Sequence, residues 1–367
     1  MAFFQTQTTS SLQDLLTKLD TFLTTAGAGN PAWTAENVDG GGNSLDTATG
    51  RWAISKSNSD DSCEVAFQWD TASPNALGVY QYLSGSGPGN YNNANAPWAQ
   101  TDDSGNGAAS SSDATLLTSR HVPIGNSPLQ YWAFTGDTAS SEVYAHIVVE
   151  TSLDVFVHFG FGIANKFNDW TGGAYAYGYR VNNSSNNAVA VNVESTLLLD
   201  GLCNGVAPGP DMQFHGATMH IEGMTDSPVG GKWGVCMGNQ SPSSFGQDRQ
   251  TVPVDRIHVM GGCRGGPSAT TFGQFLGTLS QGLVPGYPMV QWHFDRDIST
   301  TSAQPGSVAC ISQMRDVRGI SIANFQARDQ ITIGSDTWHV FPSGKRWPDT
   351  GSLNNTTGYQ GLMYKEN

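Results

Sequence analysis

Two runs of β-branched and aromatic residues dominate the middle of this chain. They are Val143-Tyr144-Ala145-His146-Ile147-Val148-Val149-Glu150 and Val155-Phe156-Val157-His158-Phe159-Gly160-Phe161-Gly162. Residues of these types fit a pleated, packed surface. Only Thr151-Ser152-Leu153-Asp154 separates the runs, so the second must turn back beside the first as an antiparallel hairpin. Gly160 and Gly162 inside a strand predict a bulge or a close approach of another group. A lone hairpin is marginal in water, so further strands must cover it.

Those strands are readable on both sides. Trp52 and Ile54, then Val65, Phe67 and Trp69, alternate with polar residues, and Leu77 to Tyr82 forms a similar run. Ala174-Tyr175-Ala176-Tyr177-Gly178-Tyr179 places three tyrosines on one face of a strand. Shorter strands are expected at Met219–Glu222, Gly231–Val235 and Pro288–Phe294, with a short helix over 270–279. Gln330 to Pro342 reads as two alternating stretches around a Gly334-Ser335-Asp336 turn. Only the start of the chain is clearly helical. There Leu12, Leu15, Leu16, Leu19, Phe22 and Leu23 recur at three- and four-residue steps. Ser10 with Gln13 reads as a capping box, Gly27 as the stop, and Pro31 and Trp33 as a clamp on the exit. The expected fold is mostly β, with antiparallel sheets in sandwich-like lobes, one N-terminal amphipathic helix and long loops. The expected division is a helix at 1–30, a β-rich lobe at 31–200 and a second, loop-rich β lobe at 201–367. A Gly/Ser/Asn-rich loop over 84–112 carries too little apolar surface to fold alone.

Charge narrows the function. Charged residues make up 13% of the 367 residues, and the net charge is −14. Without a run of three basic residues, the chain lacks the cationic track that displaces counterions from a nucleic acid, so no nucleic-acid partner is expected. Few charges and many small polar groups suit broad contact with other protein. No apolar run reaches the ~20 residues of a membrane helix, and the first residues lack a signal-peptide pattern. The expectation is a chain made in a cytoplasm, without a membrane partner. Cys63, Cys203, Cys236, Cys263 and Cys310 are widely spaced and lack a C-x-x-C pair, which reads as free thiols rather than a disulfide framework or zinc knuckle.

Candidate chemistry is sparse. His215 and His220 are five apart, a step that suits a metal pair on neither a helix nor a strand, although Glu222 shares the strand face of His220. His146 and His158, with Asp154 nearby, are candidates for a base, but strand histidines are more often held by cross-strand hydrogen bonds. Asp295 and Asp297 share a strand face beside Trp292, the arrangement a glycan-cleaving carboxylate pair would need. Nucleophile-elbow and phosphate-loop motifs are absent. The expectation is no catalytic residue, no metal and no cofactor.

Three stretches together resemble the virion structural proteins of tailed bacteriophages, a group associated with tail and baseplate. They are Val155–Gly162 followed by Trp170-Thr171-Gly172-Gly173, then Gly334 to Pro342, then Thr357 to Lys365. The resemblance implies a non-catalytic virion component, at tail tip, baseplate or collar, whose partners are copies of itself and other virion proteins. Leu12, Leu16, Leu19 and Phe22 of the helix and Tyr175, Tyr177 and Tyr179 are the expected contact residues. A receptor- or glycan-binding tail module is the first alternative, with Trp170 and Trp292 as sugar platforms against a host surface glycan. A glycan depolymerase using Asp295 and Asp297 is the second.

Overall fold

The computed structural model describes residues 3–25, 31–72, 77–82, 116–122, 124–136, 142–167, 171–177, 217–222, 233–236, 256–260, 286–296, 305–322, 324–342 and 360–366. Strand β1 (Phe3–Thr8) precedes helix α1 (Leu12–Thr24). There follow β2 (Thr34–Ala35), β3 (Leu45–Asp46), β4 (Arg51–Ser57), β5 (Ser62–Gln68), β6 (Leu77–Tyr82) and β7 (Leu116–Val122). The middle of the chain forms β8 (Gln130–Thr135), β9 (Tyr144–Ser152), β10 (Val155–Ile163), β11 (Asn165–Lys166) and β12 (Thr171–Tyr177). Next come β13 (Ala217–Glu222), β14 (Trp233–Cys236), β15 (Arg256–Met260) and β16 (Tyr287–Arg296). The chain closes with β17 (Pro305–Ser321), β18 (Gln330–Ile333), β19 (Asp336–Pro342) and β20 (Gln360–Lys365). The protein is mostly β, as its alternating runs require.

The described strands form two sheets. The smaller runs β2-β4-β5-β6-β7, with β3 also on β4. The larger has 14 strands in the order β1-β8-β9-β10-β12-β13-β14-β15-β16-β17-β20-β19-β18, with β11 attached to β17. Neighbours are antiparallel except β14 and β15, which run parallel. The large sheet takes strands from both sides of residue 200. That boundary itself, the loop over 84–112, Gly27 and the helix expected over 270–279 lie outside the described residues.

Local chemistry explains the helix. Ser11 is the N-cap, and its hydroxyl accepts the Asp14 N–H at 3.0 Å. The Asp14 carboxylate accepts in return from the Ser10 N–H at 2.9 Å. The capping pair therefore sits one residue beyond the expected Ser10 and Gln13. A carboxylate in the first turn also suits the positive end of the helix dipole. At the exit, the Trp33 N–H donates to the Leu23 carbonyl at 2.8 Å, so Trp33 does clamp the helix end.

The hairpin β9–β10 turns through Leu153 and Asp154, and Asp154 adopts the left-handed backbone region (φ 59°). Both of its faces are buried, which is why its sequence is apolar almost without alternation. One face presents Ala145, Ile147, Val149, Val157, Phe159 and Phe161 to a core shared with α1 and the small sheet. The other presents Val148 and Phe156 to Met314, Val317, Phe341, Leu362 and Tyr364. Those partners belong to β17, β19 and β20 of the same large sheet. The sheet thus curls back on itself, and its first strand meets the next-to-last where Phe4 of β1 packs on the His339 ring of β19, 4.7 Å between centroids. No described helix is long and apolar enough to cross a membrane.

Candidate functional site: the buried histidine seam

Two buried histidines and their polar partners converge in the seam where the sheet meets itself. His146 and His158 project from the same face of the hairpin, but the register sets His146 opposite Gly160 and His158 opposite Val148. Both rings flank Tyr364, at 5.6 and 5.8 Å between centroids. Gly160 is required here, because a Cβ would lie 2.6 Å from Tyr177 Cε1 and 2.7 Å from the Ala145 carbonyl oxygen. The close approach expected at this glycine is therefore made by the Tyr177 ring.

Each histidine is held at both nitrogens. His146 Nε2 is 2.9 Å from the Arg315 carbonyl, and Nδ1 is 2.9 Å from the Tyr177 hydroxyl. His158 Nε2 is 2.7 Å from the Pro342 carbonyl, and Nδ1 is 2.8 Å from the Tyr364 hydroxyl. A carbonyl can only accept, so Nε2 carries the proton in both rings. The lone pair of Nδ1 then accepts from the tyrosine O–H. Both rings are neutral in this arrangement. Burial pulls the pKa of each down to about 4, against the smaller opposing pull of the carbonyl bond.

Charged groups border the seam. The Tyr144 hydroxyl donates to Asp316 Oδ2 at 2.6 Å, and burial, reinforced by that carboxylate, pushes the phenol far above its ordinary pKa. Arg315 reaches Glu142 at 3.2 Å. Glu150, 4% exposed, receives Arg328 Nη2 at 3.0 Å and the Asp154 N–H at 3.0 Å. Arg328 also pairs with Asp154 at 2.7 Å, and its guanidinium lies 5.7 Å over the Phe156 ring. A nearly buried carboxylate is tolerable only with such partners. Asp154 is thus engaged by Arg328 and does not act on either histidine as a base would require.

The expected contact residues are placed differently. Leu12, Leu16, Leu19 and Phe22 are buried, with exposures of 1%, 0%, 0% and 6%, in the chain's own core. Tyr175 and Tyr177 share a face as expected, their rings stacked 6.4 Å apart, but both are buried in the seam. All six side chains are covered within the chain's own packing. Tyr179, Trp170, Asp297 and His215 lie outside the described residues. Trp292 and Asp295 lie on β16, in register with Cys310 and Ser307 of β17. His220 and Glu222 lie on β13, opposite Trp233 and Thr171. Among the described residues no group of three or more His, Cys, Asp or Glu converges as a metal would need.

Sequence reasoning missed β1, its pairing with β8, and the tyrosine and carbonyl partners of the histidines. One signal was available: a histidine inside a run buried on both faces must find its partners in the layer above. Neither a scan against models of protein families nor a search of the curated proteins finds a match to this chain.

Proposed function

We propose that this chain is a structural subunit of a tailed-phage virion, working through protein–protein interfaces with copies of itself and neighbouring virion proteins. One observation carries the reading. Described parts of the three stretches on which the resemblance rests share one buried cluster, through Phe156 of β10, Phe341 of β19 and Leu362 and Tyr364 of β20. His158 of β10 bonds Pro342 at the end of β19 and Tyr364 of β20, and Phe156 packs on Phe341 at 5.6 Å. The Thr171-Gly172-Gly173 segment opens β12, which pairs directly with β10. What resembles the virion proteins is therefore one piece of architecture, and its side chains are used in packing. That supports a role carried by shape and assembly. The scarcity of charge over the whole chain agrees with extensive contact to other protein.

The test is co-purification. Particles released from the cells that make this chain are banded by density and digested for mass spectrometry. Its peptides should appear at a fixed ratio to the other particle proteins. Recovery only in the soluble fraction would remove the proposal.

A further inference from the structure

We propose that His146 and His158 form a paired acid latch: protonating them releases β17, β19 and β20 from the central hairpin while the core beneath the small sheet stays closed. The latch is a property of the chain alone and does not depend on where it assembles.

Geometry carries it. The two histidines sit on one face of one hairpin, and each donates its Nε2–H to a backbone carbonyl of the C-terminal layer, Arg315 on β17 and Pro342 on β19. Each Nδ1 must stay unprotonated to accept from Tyr177 or Tyr364. A proton on Nδ1 turns that acceptor into a donor facing a hydroxyl that is itself donating. The hydroxyl must then turn away, and a cation is left buried, at a cost that opening to water removes. Both latches share Tyr364, whose hydroxyl bonds His158 and whose ring packs against His146.

Among the described residues, the nitrogens of both rings meet neutral groups, tyrosine hydroxyls and backbone carbonyls. Around His146 the titratable groups are Tyr144 on its own strand, Tyr175 and Tyr177 on β12, Tyr364 on β20, and Arg315 and Asp316 on β17, with Glu142 just before β9. Asp316 is taken by Tyr144, and Glu142 by Arg315. Around His158 are Tyr364 and, stacked on Phe341 of the same layer, His339, which bonds Glu366 at 2.8 Å. Glu150 and Asp154 at the hairpin tip are held by Arg328. The opposite face of the hairpin is different. The links between the β4–β5 turn and β11–β12 there are carboxylate bonds, the Ala174 N–H to Asp61 at 2.8 Å and Lys166 to Asp60 at 3.3 Å. Neither of these two links involves a histidine.

Hydrogen exchange of the full chain, read by mass spectrometry between pH 7.5 and 4.5 and corrected for intrinsic rates, tests the latch. Protection over 305–322, 336–342 and 360–366 should fall below about pH 6.5, by about tenfold per pH unit for each histidine released. Protection over Leu12–Thr24 and Arg51–Gln68 should hold in the same range. His146→Gln and His158→Gln each keep an N–H donor without a group that titrates here, so each should lower the slope by one proton. Equal loss of protection in both regions, or unchanged slopes in both variants, would overturn the proposal. Should the variants not fold, nitrogen-15 histidine spectra of the unaltered chain decide it. Ring protonation must then coincide with loss of protection, and protonated rings in a still-protected seam would contradict the latch.

Discussion

His158 and Tyr364 are 206 residues apart in sequence, and their side chains meet inside the protein at 2.8 Å. That contact ties the central hairpin to the end of the chain. It also fixes the histidine tautomer, because the opposite ring nitrogen must donate to the Pro342 carbonyl. Removing the hydroxyl in Tyr364→Phe keeps the ring stacked on Phe134 but takes the donor from His158 Nδ1. The expected loss is about 1–3 kcal/mol of unfolding free energy in a denaturant titration. Tyr175 gives the contrast. It is buried, and its hydroxyl has no hydrogen-bond partner among the described residues. Tyr175→Phe should therefore be neutral to within about 0.5 kcal/mol, or stabilising.

Gly160 tests the packing of the same seam. A methyl group there would press on the Tyr177 ring and on the Ala145 carbonyl, and the carbonyl belongs to the neighbouring strand and cannot move aside. Gly160→Ala should cost about 1–3 kcal/mol, as overpacking of a filled core does. Gly125→Ala has open space around its Cβ but a φ of 73°, so its cost should come from backbone conformation alone. Calorimetric melting of the two variants separates these origins. The Gly160 variant should also perturb the near-ultraviolet circular dichroism of the aromatic seam, and the Gly125 variant should leave it unchanged.

Stability should fall on both sides of neutrality. On the acid side, His146 and His158 have folded-state pKa values of about 4, below the ~6.5 of an unfolded histidine. The unfolded chain then binds more protons between these values. The stabilisation is complete above about pH 6.5 and is lost as pH falls toward 4, by roughly 3 kcal/mol per histidine. On the alkaline side, burial holds the Tyr131, Tyr144 and Tyr175 hydroxyls well above the ordinary phenol range. The folded chain keeps protons that the unfolded chain releases, so stability is complete below about pH 10 and declines above it. Urea midpoints across pH 4 to 11 check both limbs. Tyrosinate absorbance should show some tyrosines ionising only as the chain unfolds.

Local signals in this sequence were good guides to local structure. The short polar break at 151–154 identified the hairpin, and the Gly334-Ser335 turn (Gly334 φ 66°) joins β18 to β19 where alternation resumes. The leucine stripe marked α1 and its buried face. Distant pairings left no comparable mark. Phe3–Thr8 pairs with Gln130–Thr135, more than a hundred residues away, and nothing in Phe-Phe-Gln-Thr-Gln-Thr specifies that partner. The site was hidden for the same reason. His146 and His158 were visible as polar intrusions in an apolar run, but their partners come from strands β12, β17, β19 and β20. Periodicity also cannot say whether an apolar stripe is covered by its own chain or by another, so it could not foresee that the helix stripe, Tyr175 and Tyr177 are buried within this one.

The virion role proposed for this chain can be read from an image of the intact particle. A tag appended at the C-terminus and decorated with a gold-labelled antibody fragment should appear at one fixed position on the tail, baseplate or collar of every particle. Particles that carry no label, while the tagged chain accumulates free in the same cells, would rule that role out.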